Sequence, residues 1–346
     1  MRAPSYAPLD DALETLAPYG IELKNGNSNQ APMVAETLCA LGRADAVMPW
    51  IARYRERMLP RPETAARIHR EDWRAALGER TQFADWSMFF GEELRERPWQ
   101  EVLDRWVERL APGFCAAATH GVIRVGHATR GLAAGETPRR LRELADAFAS
   151  WAATYQELPA NGYGANGTMT PRQAITRVAV VPSAQRNYAG NITASLATLD
   201  DLPEFAPSLG LIDTGSELAP LLSEITEVFA RVYLANAHDI RSTIAFIHGS
   251  PALPHSPTLR RWLATAPHAP RLAMLGNPAA RFMPASAGIR QWPRTSNRAK
   301  RTRTTSPTAP SHMATSTSSS SPKRACNGTP SAPPRFTLPP STTCSE

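Results

Sequence analysis

Cysteine is scarce in this chain of 346 residues: Cys39, Cys115, Cys326 and Cys344 are all there is, with no CxxC spacing among them. That excludes a zinc ribbon, a dithiol redox centre and a disulfide-stapled fold. Cys39 and Cys115 sit in apolar helical contexts and are expected as buried free thiols. No apolar run approaches the roughly 18–20 residues that span a bilayer, so no membrane partner is expected. The first residues show no apolar signal segment, and acidic Asp10 and Asp11 come early, which makes a cytoplasmic location the expectation. No glycine-rich Rossmann fingerprint is read that would hold a flavin or nicotinamide. Acidic residues are almost missing from the last 97 positions, where Glu346 stands alone against 13 Lys and Arg. The remaining residues, 1–249, carry 25 Lys and Arg against 30 Asp and Glu. The basic balance of the whole chain therefore belongs to its tail.

What is present in residues 1–249 is helical periodicity. Leu9 to Leu16 forms a short opening helix stopped by Pro18 and Gly20, and Asn25 to Gln30 forms a polar turn. Pro32 suits the first turn of a helix that Gly42 ends. Trp50, Ile51, Tyr54 and Met58 mark the next apolar face. Trp73, Phe83, Trp86, Phe89, Phe90, Trp99 and Trp106 follow as an aromatic-rich stretch, read as core. Pro98 to Leu110, Thr137-Pro138 through Tyr155, and Leu218 to Ala237 are further helices. The one strand-like run is Arg177 to Val181. The expected fold is all-α: a single mostly helical domain over 1–249. The 250–346 tail holds 16 of the 32 prolines and a Ser318–Ser321 run, a composition that predicts disorder.

Residues 112–135 read as a central helix, apolar nearly all round and rich in Ala and Gly. His120, Arg124 and His127 interrupt it at i, i+4 and i+7, on one stripe. Buried polar groups must be hydrogen-bonded, paired or metal-bound, because leaving them unsatisfied costs several kcal/mol, roughly 2–7 for a neutral group. Two readings stay open here: satisfied core histidines, or ligands of a metal. Seven residues rise about 10.5 Å along a helix, so both rings reach one metal only by leaning together or through distortion at Gly121 and Gly126. His248, at the end of Ile244-Ala245-Phe246-Ile247-His248-Gly249, is a third candidate.

Asn29-Gln30-Ala31-Pro32-Met33-Val34-Ala35-Glu36, Ala40-Leu41-Gly42, Trp50 and Tyr54 resemble the opening motif of questin oxidase-like proteins. So do Ala118-Thr119-His120-Gly121 with Arg124 and His127, Tyr155-Gln156-Glu157-Leu158-Pro159, and Ala245-Phe246-Ile247-His248-Gly249. The resemblance implies a mostly helical fold and oxidation of polycyclic aromatic substrates of the anthraquinone type, with ring opening. It implies either an NADPH-linked, Baeyer–Villiger-like reaction or a non-haem iron held largely by histidines; iron is the preferred expectation, since imidazole suits that metal. By resemblance His120, His127 and His248 would be ligands and Arg124 a catalytic group. The family motif usually has histidine where this chain has Gln30, a far poorer ligand for iron.

Past Gly249 the resemblance stops. With permissible codons, the segments from Arg271 to Gly288 and Ala299 to Cys326 can be read one frame over as amphipathic, acid-bearing helices. The tail is therefore expected to be a frameshift product, and the oxidoreductase to be impaired in this form. The alternative is a non-catalytic helical binding module whose basic tail contacts nucleic acid or acidic surfaces non-specifically. No helix-turn-helix, zinc-finger or RNA-binding motif accompanies it, so no specific nucleic-acid partner is expected.

Overall fold

A computed structural model describes residues 3–157, 167–178, 211–213 and 218–236, with single positions 201, 203 and 207. Among them nine α-helices and one two-stranded ribbon account for the regular structure. Helix α1 is Leu9–Leu16, with Asp10 and Asp11 in the first turn, where the helix dipole favours acids. Strand β1 (Tyr19–Leu23) follows and pairs antiparallel with β2 (Met58–Pro60). Helix α2 is Ala31–Ala40, begun with Pro32 in its first turn and closed by Gly42, whose φ of 70° is the left-handed region glycine adopts freely. Next come α3 (Val47–Tyr54), α4 (Phe83–Glu96) and α5 (Trp99–Leu110). Helix α6 is His120–Ala134 and α7 is Pro138–Ala153, the latter capped by the Thr137 hydroxyl, which accepts the Arg140 N–H at 3.2 Å. Helix α8 (Pro171–Arg177) starts in a capping box between Thr170 and Gln173 and packs with α9 (Leu218–Asn236).

The mostly helical fold is as expected, with four local differences. The ribbon was not foreseen. A single 3-10 turn, Arg55–Arg57, ends α3, and Met58 then extends instead of continuing the helical face. Backbone bonds from Lys24 to Arg57 and from Arg61 to Pro18, both 2.8 Å, draw the segment onto β1. The central helix is shorter than the apolar run, because Ala111–Gly113 is a 3-10 turn and helix α6 starts only at His120. Helix α7 stops at Ala153 rather than running on to Tyr155: the Tyr155 N–H bonds the Ala152 carbonyl at 3.2 Å and its ring lies against Gly113, where any Cβ would collide at 2.2 Å. Arg177 ends a helix rather than opening a strand, and residues 179–181 lie outside the described residues, as do His248 and the entire tail from 250.

Two apolar clusters form. The larger joins α4, α5, α6 and α7 through Trp86, Phe90, Trp106, Phe148 and Trp151, all fully buried. Trp106 meets Trp73, Trp86, Phe89 and Phe90 edge-on at centroid distances of 4.8–6.2 Å, an arrangement that ring quadrupoles favour. The smaller gathers Leu9, Leu13, Ala35, Cys39 and Ile51 from α1, α2 and α3. Helix α6 packs on α7 and α2. Its approach to α7 is tight at Gly121, where an added Cβ would stand 2.9 Å from the Trp151 Cα.

Candidate functional site

The α2–α6 contact is where polar chemistry is buried. Glu36 is the one charged residue of helix α2, and α6 faces α2 and α7 with His120, Arg124, His127 and Arg130. Glu36, only 2 % exposed, gathers four donors. The Tyr6 hydroxyl donates to Oε1 at 2.8 Å, His127 Nδ1 to Oε2 at 2.7 Å, and Arg130 to both oxygens through Nε and Nη2. Burial pushes the Glu36 carboxyl up, but its bonds from His127, Arg130 and Tyr6 outweigh that and hold it below the usual carboxylate range.

One turn before His127, Arg124 donates Nε and Nη2 to the two oxygens of Glu143 on α7, at 2.7 and 2.9 Å. Both groups are buried. Burial dominates at Glu143 and raises its pKa despite Arg124. Asp146, one turn further along α7, behaves oppositely. Burial pushes it up too, but Arg61, Arg124 and the Ser87 hydroxyl together prevail and lower it. Arg61 reaches both Asp146 oxygens, at 2.7 and 2.9 Å.

His120 sits at the start of α6 after an unusual turn. Ala117, Ala118 and Thr119 all have positive φ, 47°, 55° and 73°, a region that L-residues with a Cβ rarely occupy in succession. The turn brings the Ala117 carbonyl to 2.7 Å from His120 Nδ1. His120 Nε2 lies 3.0 Å from Gln30 Nε2. Burial lowers the His120 pKa, against the opposing backbone bond from Ala117, so the ring is held neutral. Gln30 is the residue before α2, and its backbone N–H points to the Tyr54 hydroxyl at 3.4 Å.

The residues expected at the site are thus brought to one interface but not to one point. Gln30 and His120 touch; His127 is bound to Glu36, Arg124 to Glu143, and His248 lies outside the described residues. Among the described residues no group of three or more His, Cys, Asp or Glu is arranged to hold a metal ion. Two hollows flank the interface, one at Pro32, Glu36 and His127, the other at Asn29, Arg124, Glu143 and Asp146, each with about 10 Å³ of room, the scale of one water.

Sequence reading missed Glu36, Glu143 and Asp146. Glu36 was detectable as the lone charge in the apolar run Ala31–Ala40, and Glu143 with Asp146 as acids i, i+3 on a helix carrying Leu144, Phe148 and Trp151. It also passed over Gly162, Gly164 and Gly167, which stand at G-x-G-x-x-G spacing. The described element before them is α7, a helix where a dinucleotide site needs a strand; Gly162 and Gly164 lie outside the described residues. Among the described residues Cys39 and Cys115 are buried and free, and burial raises their thiols to about 11 at Cys39 and about 12 at Cys115, which disfavours the reactive thiolate. Among the described residues no helix is long and apolar enough to cross a membrane.

Fold and site together define a helical domain built around a buried imidazole, carboxylate and guanidinium interface. The family model described as Questin oxidase-like matches residues 29–136, a segment running from α2 through α6. Comparison with curated proteins gives no match, and comparison with solved structures gives none.

Proposed function

We propose that this chain is an oxidoreductase of questin oxidase type, slowed in this form, acting on a polycyclic aromatic ketone of the anthraquinone class. One atom of dioxygen is inserted beside a ring carbonyl to give a lactone, which hydrolysis opens. The other atom leaves as water, with two electrons from NADPH and a proton. The observation that carries the reading is the family match over residues 29–136, which includes both helices of the buried polar interface. The site's chemistry is compatible with it: His120, neutral and beside Gln30, can take and return a proton next to a reacting carbonyl. Iron belongs to the expectation from resemblance, and no step is built on it.

The test is to incubate the full chain with an anthraquinone, NADPH and dioxygen, with and without added iron(II), and to follow the product by mass spectrometry. The expected product carries one oxygen from dioxygen as the lactone, or that oxygen plus the elements of water once the ring is opened, with NADPH and dioxygen consumed one for one. Unchanged substrate in both arms would overturn the reading. The alternative of a binding module with a basic tail concerns residues outside those described, and nothing in the described residues favours it.

A further inference from the structure

Both histidines of α6 are engaged at the same ring nitrogen. His120 Nδ1 meets the Ala117 carbonyl at 2.7 Å, and His127 Nδ1 meets Glu36 Oε2 at 2.7 Å. Carbonyl and carboxylate oxygens only accept, so each of these contacts puts the proton on Nδ1; Arg130 Nη2, which can only donate, also lies 3.3 Å from His127 Nδ1, but it is committed to the closer Glu36 Oε2. In a neutral ring that leaves Nε2 as the basic nitrogen. The Gln30 contact agrees: its amide N–H donates to His120 Nε2 at 3.0 Å, which an unprotonated Nε2 accepts and an Nε2–H could not.

The two rings reach this common state by unrelated means. At His127 a carboxylate from another helix accepts the proton. At His120 it is a backbone carbonyl, delivered by three successive residues in the left-handed region. Such a backbone is unfavourable for residues with a Cβ, and strain of this kind persists only where its surroundings enforce it. Thr119 is the helix N-cap position, yet its side chain makes no capping bond. The turn's geometry goes instead into presenting the Ala117 carbonyl.

We propose that Glu36 and the Ala117 carbonyl are positioning groups that fix the tautomer of α6's two histidines, so that Nε2 of both His120 and His127 is the electron-pair donor at the α2–α6 face. The inference builds on the proposed oxidation only for what those nitrogens are used for; the tautomers themselves can be read without turnover. Neither group touches a substrate. Each acts through its histidine, as outer partners do for working imidazoles generally.

The test is long-range proton–nitrogen NMR on the full chain labelled with nitrogen-15 histidine at mildly alkaline pH. His120→Gln and His127→Gln serve only to assign the signals. Both rings are expected in the Nδ1–H form with an unprotonated Nε2. In Glu36→Gln, Arg130 and the Tyr6 hydroxyl claim the new amide's oxygen, so its N–H₂ turns toward His127 Nδ1; the proton should move to Nε2 in that ring alone, with His120 unchanged. A wild-type ring found with Nε2–H, or doubly protonated, overturns the proposal for that ring, and needs no variant to fold. An unmoved His127 tautomer in folded Glu36→Gln overturns the role of Glu36. Absence of oxidase activity alongside the expected tautomers would overturn the proposed reaction and leave this assignment standing.

Discussion

The aromatic cluster of α4, α5 and α7 and the polar interface of α2 with α6 are equally buried and held together in opposite ways. In the first, Phe90 and Phe148 gain chiefly from area removed from water, a non-directional term that tolerates substitution by degrees, and Trp86 and Trp106 add one indole N–H bond each, to the Ala76 carbonyl and to Glu93. In the second, Glu36, His127, Arg130, Arg124 and Glu143 are each bonded to a named partner. Every such bond offsets a desolvation penalty that returns in full when a partner is removed. A fold needing only stability has little reason to bury so much charge. The difference separates a region held by packed area from a region held by paired charges.

The largest effects should distinguish the two kinds of burial. Trp106→Ala should cost about 3–5 kcal/mol, and no second substitution at a neighbouring ring should return it. Arg124→Met should cost a similar amount, about 3–5 kcal/mol, by stranding Glu143. There, however, the double change Arg124→Met with Glu143→Leu should recover most of the loss. Urea unfolding of the three variants checks this, and a double variant no more stable than Arg124→Met would erase the contrast.

A smaller effect tests the approach of the two regions. Gly121→Ala places a methyl 2.9 Å from the Trp151 Cα, a backbone atom that cannot swing aside. The expected cost is about 1–3 kcal/mol, seen as a lower melting temperature, while the same change at Gly91 of α4 meets nothing within 4 Å and needs no left-handed backbone.

Smaller still is the acid response. The folded-state pKa of Asp146 is depressed, so its contribution is complete above the unfolded value and is lost as pH falls through the folded one. Asp146→Asn should remove that loss and flatten the acid limb of stability against pH, by up to about 1.4 kcal/mol per pH unit. Glu143 has the opposite sign: its raised pKa penalises the folded state as pH rises, so Glu143→Gln should not flatten that limb.

The same contrast explains what could be read from the chain. Apolar spacing located α1 to its end residues and set most of α2, α5, α7 and α9 within a residue or two, because the larger part of the fold obeys period and caps. It also placed His120, Arg124 and His127 on one stripe. It could not say what each faces, since Glu36 lies about 90 residues from His127 and the pairing is decided by how α2 crosses α6. Nor could it foresee the left-handed turn at Ala117–Thr119, which no glycine marks. The run Pro112–Gly135 reads as one helix because its composition is uniform; only the backbone shows that the helix begins at the histidine.

The central claim is that the α2–α6 face carries the oxidation and that His120 works there. The most direct measurement is incorporation of isotopically heavy oxygen from dioxygen into an anthraquinone, by the full chain and by His120→Gln, with melting temperatures recorded for both. The account predicts one labelled oxygen per product in the native chain and a fall of about 10²-fold or more in His120→Gln at an unchanged fold. Equal incorporation by the folded His120→Gln chain, or none by the native one, would contradict it.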